Sequence, residues 1–264
     1  MELRSAALKA LLLAEPAAKA AAARGLHAAA SAALDTQAAL ETTAPLPGRS
    51  ARPPLVAATA VKTRSPFTVE GRAALLHAVA HIEHNAINLA LDAVWRFAGM
   101  PADYYRDWLR VAAEEALHFT LLSDHLATLD HAYGDFPAHD GLWAMTERTA
   151  GDITARMALV PRTLEARGLD ATPPMQARLR QAGDLRAVEI LGVILRDEIG
   201  HVAVGNRWYR WLCERDGLEP VAHFGVLAAR HRAPVPRPPV NTEARLAAGF
   251  TAQEIAALFP RSSP

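Results

Sequence analysis

Four long stretches of the sequence carry apolar residues three and four positions apart, the spacing that places them on one face of an α-helix. The stretches run from Thr68 to about Phe97, from Asp103 to about residue 131, from Asp140 to about Arg167, and from Asp184 to about Arg215. Each begins with a Thr or Asp that can cap a helix, and a glycine follows within a few residues of its end. No alternating strand pattern competes with them, so the sequence predicts an all-α fold built on a four-helix bundle.

Proline and glycine predict where the helical pattern is disturbed. In the third stretch we expect an interruption at Gly151-Asp152 and a kink at Pro161, because a proline inside a helix cannot donate its backbone hydrogen bond. A short new helix is expected after Thr172-Pro173-Pro174. Near the C-terminus, Thr251 and Glu254 have the spacing of a capping box, which predicts the start of another helix.

Segments of different composition flank the predicted bundle. Residues 1–66 combine Ala-rich helical sequence, broken near Pro16, with a proline-rich extended connection from residue 43 onward. Residues 218–264 contain a predicted helix at about 219–230, a proline-rich stretch and two short helices. We therefore expect an N-terminal appendage at 1–66, the four-helix bundle at 67–217 and a C-terminal appendage at 218–264 that docks on the bundle.

Composition excludes several classes of protein. Lys plus Arg and Asp plus Glu both number 28, so the net charge is zero and nothing indicates a general nucleic-acid-binding protein, although a tRNA partner stays open. The single cysteine, Cys213, excludes an intramolecular disulfide and favours the reducing cytoplasm. No segment approaches the roughly 18 uncharged apolar residues that a membrane helix needs, so we expect no membrane association.

Glutamate and histidine interrupt the apolar faces at equivalent places. The second and fourth stretches each carry Glu-x-x-His on the face that should point into the core. The first and third stretches each offer one further glutamate at a nearly equal distance before that motif, although the face around Glu165 is less cleanly apolar. The six candidate site residues are Glu83, Glu115, His118, Glu165, Glu198 and His201.

The chemistry of these six residues favours a metal site. Four buried carboxylates with nothing to balance them would cost several kcal/mol each or be forced to protonate, and two divalent cations would remove that cost. An oxygen-rich set with one imidazole per metal suits iron or manganese better than a closed zinc site. We therefore predict two divalent ions, with iron first and manganese or a mixed pair as alternatives. A metal-free buried polar network is the competing interpretation.

Other polar residues lie close to these candidates in the sequence. Glu114 and Asp197 directly precede the two motif glutamates and could accept the second N–H of a metal-bound histidine on a facing helix, although solvated surface acids are the alternative. His77, His81 and His84 form a helical stripe. The stripe is either a second metal site or a polar face packed under the tail or at a subunit contact, and the second interpretation is favoured.

Five segments carry a resemblance to a known superfamily: AHIEHNAINLALDAVWRF, EEALHF, PRTLEARGLD, RDEIGHV and PPVNTEARLAAGF, which span about residues 65–255. They resemble the ferritin-like superfamily of carboxylate-bridged dinuclear metalloproteins and, more narrowly, a bacterial ferritin-like family whose domain has no assigned function. The resemblance implies the same six ligands and makes Glu115 and Glu198 the bridging carboxylates. It also implies a ferritin-like four-helix bundle.

Within that superfamily the reactions range from oxygen-dependent hydroxylation to iron storage, so fold and metals do not choose among them. We expect an oxidoreductase that activates dioxygen or peroxide to hydroxylate or oxidise a small or nucleoside-like substrate. An electron donor is the expected partner of such an enzyme. The alternative is a non-enzymatic iron-binding protein, a ferroxidase or iron store. Long appendages favour the enzyme, because they can wall a pocket and exclude water. A homodimer stays open.

Overall fold

A computed structural model describes residues 2–29, 32–236 and 238–259 of the chain. Across these ranges every helix or strand element is helical, which confirms the all-α prediction, and strand-like pairing is confined to isolated bridges. None of the described helices is both long enough and apolar enough to cross a membrane. The predicted tail, 218–264, extends past the last described residue.

The helices follow the order of the chain. They are α1 (Leu3–Leu11), α2 (Pro16–Ala28), α3 (Val69–Arg96), α4 (Ala102–Ala127), α5 (Gly141–Arg148), α6 (Ile153–Leu159), α7 (Ala166–Gln181), α8 (Leu185–Arg215), α9 (Pro220–Arg230), α10 (Thr242–Ala247) and α11 (Ala252–Ala257). A single 3-10 turn, Ala58–Ala60, falls in the predicted extended connection, and a π-helical segment, Val160–Glu165, links α6 to α7.

The chain divides into two compact units. The first unit holds the described residues up to Ala144 together with Arg178–Ile190, and the second holds Met145–Ala177 together with the described residues from Leu191 onward. In the first unit α3 packs along α4, α2 packs against α4, and α1 packs against α3. The division into appendages and bundle stays a prediction.

Side chains of α1 and α2 attach both helices to α3. The buried Arg4 donates to two carbonyls at the end of α3, through Nε to Val94 at 3.3 Å and through Nη2 to Trp95 at 2.8 Å. Lys19 Nζ donates to Asn88 Oδ1 at 2.6 Å. A cation at a helix C-terminus interacts favourably with the exposed carbonyls there, so Arg4 stabilises the last turn of α3.

Helix starts agree with the sequence in α3 and α8 but not in α4. Thr68 Oγ1 accepts from the backbone N–H of Gly71 at 3.1 Å, as predicted for an N-cap. Asp184 caps α8 in the same way, accepting from Ala187 N at 3.0 Å. The predicted cap at Asp103 is wrong, because α4 already begins at Ala102 after Pro101, whose ring fixes φ near its helical value. Asp103 instead forms an ion pair with Arg106 at 3.2 Å.

The third predicted helix is the one that differs most. The interruption at Gly151-Asp152 is confirmed, and Pro161 falls in the π-helical segment where a kink was expected. However, the predicted end near Arg167 and the new start after Thr172-Pro173-Pro174 are both wrong, since α7 continues through the two prolines to Gln181.

Groups other than the backbone N–H satisfy the carbonyls around the prolines of α7. Pro173 cannot donate to the carbonyl of Leu169, and Asn241 Nδ2 of the C-terminal tail donates to that oxygen at 3.2 Å. Thr172 Oγ1 donates to the carbonyl of Gly168 at 2.8 Å. The helix therefore tolerates the prolines because a segment distant in sequence replaces part of the lost hydrogen bonding.

In the second unit the tail packs directly on α7 and α8. One buried cluster joins the three parts of the chain: Ala166, Leu169, Val202, Ala244, Ala248 and Phe250, with Leu195, Ile199 and Ile255 packed against it. The buried Arg245 of α10 forms an ion pair with Asp170 of α7 at 2.6 Å. Helices α10 and α11 are thus part of the core that surrounds the end of the π-helical segment.

Candidate metal centre

Helices α3 and α4 bring three of the six predicted residues together in the first unit. Glu83 is 3% exposed, and Glu115 and His118 are fully buried. His118 Nδ1 lies 3.1 Å from Glu83 Oε2 and 3.3 Å from Glu115 Oε2. The apolar neighbours that defined the two helical stripes in the sequence are also buried, so the inward face was predicted correctly.

This arrangement places carboxylates from two helices around one imidazole nitrogen. A neutral imidazole nitrogen carries at most one hydrogen, so it cannot donate a full hydrogen bond to both oxygens. Two carboxylates in a buried environment repel each other unless a positive charge lies between them or a proton is taken up. The group formed by Glu83, Glu115 and His118 could therefore hold a cation.

The second unit holds the other Glu-x-x-His motif on α8. Glu198 is 6% exposed and His201 is fully buried, and His201 Nδ1 lies 3.8 Å from Glu198 Oε1. That distance is longer than a hydrogen bond. Glu165, 7% exposed, is the last residue of the π-helical segment. All three candidates of this unit are therefore buried, as the sequence predicted.

The three candidates of the first unit offer ligand atoms close enough to share an ion. One atom each from Glu83, Glu115 and His118 lies within 4.8 Å of the others. Ligands at about 2.0–2.2 Å from one ion are about 4 Å apart when they lie on opposite sides of it, so this buried group could hold a metal ion. Glu165, Glu198 and His201 belong to the second unit, and their part in a shared centre stays a prediction.

The acids next to the motif glutamates are only partly buried. Arg110 Nη1 contacts both carboxylate oxygens of Glu114, at 3.3 and 3.2 Å, across one turn of α4. Arg196 donates to Asp197 through Nε at 2.9 Å and Nη2 at 3.2 Å. The Asp197 side chain is 16% exposed and that of Glu114 is 31% exposed. Their proposed role as acceptors for metal-bound histidines stays a prediction.

The histidine stripe of α3 is buried against the loop that follows α4. His81 Nδ1 lies 2.8 Å from the hydroxyl of Tyr133, and the backbone N–H of Gly134 donates to His77 Nε2 at 2.8 Å. Burial lowers the pKa of His77 and of His81 to about 4, so both are neutral near pH 7. Within the first unit the stripe therefore contacts this loop, and the expectation that it packs under the C-terminal tail or at a subunit contact stays a prediction.

Sequence reasoning missed a buried ion pair in the second unit. Arg162, 4% exposed, lies in the π-helical segment and forms an ion pair with Glu254 of α11 at 2.5 Å. An arginine inside the apolar run MALVPRTLEA could have indicated a buried charge. Its partner, distant in the sequence and assigned only to a capping box, could not have been identified from spacing.

Comparison with known protein families gives a match across most of the chain. A family model described as "Protein of unknown function (DUF455)" matches residues 12–256. The chain belongs to the DUF455 family. The matched range includes all six candidate residues and the helices α2 to α11 in whole or in part.

A DUF455 relative is found in Haemophilus influenzae (strain ATCC 51907 / DSM 11121 / KW20 / Rd). It is 53% identical over 211 residues, which cover 77% of this chain and 73% of the relative, and it is described as an uncharacterized protein. No solved structure matches the chain. The family therefore assigns no activity, and any function has to be argued from the buried Glu/His group.

Proposed function

We propose that this protein is a dinuclear metal oxidoreductase in which Glu83, Glu115, His118, Glu165, Glu198 and His201 hold two divalent ions, iron most readily and manganese or a mixed pair as alternatives. The observation that carries the proposal is the buried group of Glu83, Glu115 and His118, whose ligand atoms lie within 4.8 Å of one another. Such a concentration of carboxylates in a core is unfavourable without compensating positive charge.

Two ions rather than one are supported by the repetition of the motif. Glu115 with His118 on α4 and Glu198 with His201 on α8 each supply one carboxylate and one imidazole from adjacent turns of a helix. Glu83 and Glu165 supply one more carboxylate to each set. Helices α3, α4 and α8 with the stretch from α6 to α7 would then form a ferritin-like four-helix bundle.

The donor set fits iron or manganese by its chemistry. Carboxylate oxygens and imidazole nitrogens suit these ions, whereas structural zinc sites are generally completed by thiolates, and the only cysteine is Cys213. When bound, the metals would supply redox chemistry with dioxygen or peroxide. The protein side chains would bind the ions, fix their separation and exclude water with the surrounding apolar residues.

An enzyme fits this chain better than a storage shell. The long segments outside the four main helices are packed into the protein, with α1 and α2 on α3 and α4 in the first unit, and α10 and α11 on α7 and α8 in the second. Segments of this kind can shape a pocket for a small substrate. The substrate is a small or nucleoside-like molecule in this proposal, and an electron donor would complete each turnover.

Metal content tests the central claim. Protein purified from iron-supplemented cells should contain about two metal ions per chain, measured by elemental analysis. Glu198→Gln should remove at least one of them, because an amide is a poor ligand for these ions. Glu189→Gln, the same substitution at an exposed position of α8, is the matched control and should retain both. Equal metal content in the two variants would refute the proposal.

Activity and assembly separate enzyme from store. Fe(II)-loaded protein should consume oxygen faster when a substrate is supplied, and its mass in solution should correspond to a monomer or dimer. A large shell that takes up many iron ions per chain would instead support the ferroxidase or storage alternative.

A further inference from the structure

The π-helical segment before Glu165 contains a guanidinium buried among aromatic rings. Arg162 is 4% exposed, and its guanidinium carbon lies 4.7 Å from the ring centre of Tyr209, 5.1 Å from that of Phe224 and 5.0 Å from that of Phe250. The rings come from α8, α9 and the turn between α10 and α11. A cation this far from water needs specific partners to remain charged.

Two polar partners fix this guanidinium in place. Arg162 donates through Nη2 to Glu254 Oε1 at 2.5 Å and through Nε to Asn206 Oδ1 at 2.6 Å. Asn206 in turn donates to the carbonyl of Ala248 at 2.8 Å. Arg162 therefore connects the π-helical segment both to α8 and to the C-terminal tail.

Glu254 is itself rigidly held. Its Oε2 accepts from the backbone N–H of Thr251 at 2.7 Å and from Arg210 Nη2 at 2.7 Å. Burial by itself would raise the pKa of Glu254, but Arg162, Thr251 N–H and Arg210 outweigh burial and hold it below its ordinary value. The carboxylate thus stays ionised near neutral pH and orients Arg162 from a fixed position at the start of α11.

A close backbone contact fixes the same segment against α8. A Cβ atom added to Gly205 would lie 2.6 Å from Cβ and Cγ of Pro161. That separation is too short for an ordinary side-chain contact, so glycine at 205 lets α8 approach Pro161 closely. The segment is therefore fixed by the Gly205 contact at Pro161 and by the polar partners of Arg162 at the next residue.

The π-helical segment needs such external contacts, because its own backbone holds it weakly. π-helical hydrogen bonds are rare and usually limited to a single turn, and Pro161 contributes no N–H. Thr163 Oγ1 donates to the carbonyl of Ala158 at 2.8 Å, a side-chain bond beside those of the backbone. The shape of the segment that ends at Glu165 is consequently set by contacts outside it.

We propose that Arg162 and Glu254 are positioning residues for the metal centre: the ion pair between the π-helical segment and the C-terminal tail fixes the place of Glu165. The assignment of Glu165 as a ligand rests on the proposed function, whereas the effect of the ion pair on the segment does not. The C-terminal tail then becomes part of the functional site, although it contains none of the six proposed ligands.

Hydrogen exchange of the metal-free protein tests the positioning directly. Glu254→Gln should increase amide exchange at residues 162–165 at least tenfold relative to the unmodified protein, while the amides of α3 around Glu83 remain unchanged. Glu243→Gln, an exposed position in α10, is the matched control and should have no effect. Arg210→Gln removes one bond to Glu254 and should give an intermediate rate, which keeps the test usable if Glu254→Gln does not fold.

Co(II) binding then tests the consequence for the metal centre. The unmodified protein should bind two Co(II) ions, and Glu254→Gln should weaken the second ion at least tenfold and change the visible absorption, which reports Co(II) coordination. Unchanged exchange at 162–165 in Glu254→Gln would overturn the positioning role. Faster exchange would also overturn it if the variant still bound two Co(II) ions as tightly as the unmodified protein and gave the same absorption spectrum. Absence of Co(II) binding by the unmodified protein would overturn the proposed function and, with it, the metal-centre part of this inference, while exchange would still report on the ion pair.

Discussion

The two Glu-x-x-His motifs have the same spacing, but different structural elements hold them in place. On α4, Glu115 and His118 approach within 3.3 Å beside the uninterrupted helix α3. On α8, Glu198 and His201 are 3.8 Å apart, and the companion Glu165 ends a π-helical segment fixed by residues of the C-terminal tail. Local helix packing thus determines the first half of the candidate centre, whereas contacts between distant parts of the chain determine the second.

The largest difference is expected between two buried basic side chains, Arg162 in the second unit and Lys19 in the first. Arg162→Met leaves Glu254 with the more exposed Arg210 as its remaining ion-pair partner, and breaking a buried ion pair costs about 3–5 kcal/mol. Lys19→Met removes a donor from Asn88 and from the carbonyl of Gly48, which costs about 1–3 kcal/mol. Urea unfolding of both variants measures the two losses. A larger loss for Lys19→Met would reverse the comparison.

Two glycines of α8 should respond in opposite directions. Gly205→Ala forces a Cβ against Pro161 and should destabilise the protein by about 1–3 kcal/mol, as overpacking does. Gly192→Ala meets nothing closer than Gln176 Nε2 at 3.5 Å, so the better helix propensity of alanine should add about 0.5–1 kcal/mol. Thermal unfolding of the pair measures both shifts. Equal changes would show that the Gly205 contact is not restrictive.

The stability of the protein should depend on pH through Lys19 of the first unit. Burial, with a smaller contribution from Arg49, lowers the pKa of Lys19 from 10.5 to about 7. Between these values the unfolded chain binds a proton that the folded chain does not, so stability should rise with pH, by at most about 1.4 kcal/mol per unit. Urea unfolding at several pH values from neutral to 10 should show this slope in the unmodified protein and a shallower one in Lys19→Met. Parallel slopes would mean that Lys19 keeps an ordinary pKa.

The smallest effects are expected at two matched helix caps. Thr68 and Thr251 each accept from a backbone N–H three residues later at 3.1 Å, on α3 and α11 respectively. Alanine at either position should cost about 1 kcal/mol. Only Thr251→Ala should also speed hydrogen exchange at 162–165, because it loosens Glu254. Faster exchange at 162–165 in Thr68→Ala would contradict the inference that the two motifs are supported independently.

Sequence periodicity was sufficient where helices run without interruption. In α3 and α4 the apolar stripes predicted which face is buried, and Glu83, Glu115 and His118 lie on it together. The Thr251–Glu254 capping box was also predicted, because all of its atoms lie within one turn.

What the sequence did not predict depends on contacts distant along the chain. Pro173 normally indicates a helix end, and α7 passes through it with Asn241 donating to the carbonyl of Leu169. Spacing within the third stretch likewise contains no information about Glu254, which pairs with Arg162. Spacing rules predict hydrogen bonds between residues that are close in the sequence. The carbonyl of Leu169 and the side chain of Arg162 instead bond to residues of the C-terminal tail.

The attachment of Arg4 to the end of α3 has a consequence for synthesis of the chain. Its acceptors, the carbonyls of Val94 and Trp95, are separated from it by about ninety residues. Because a ribosome adds about 5–20 residues per second, α1 leaves the ribosome several seconds before these acceptors exist. During that time the guanidinium remains hydrated and α1 lacks the helix against which it packs. Vectorial folding should therefore begin with α3 and α4, and α1, although made before them, should dock after they have paired.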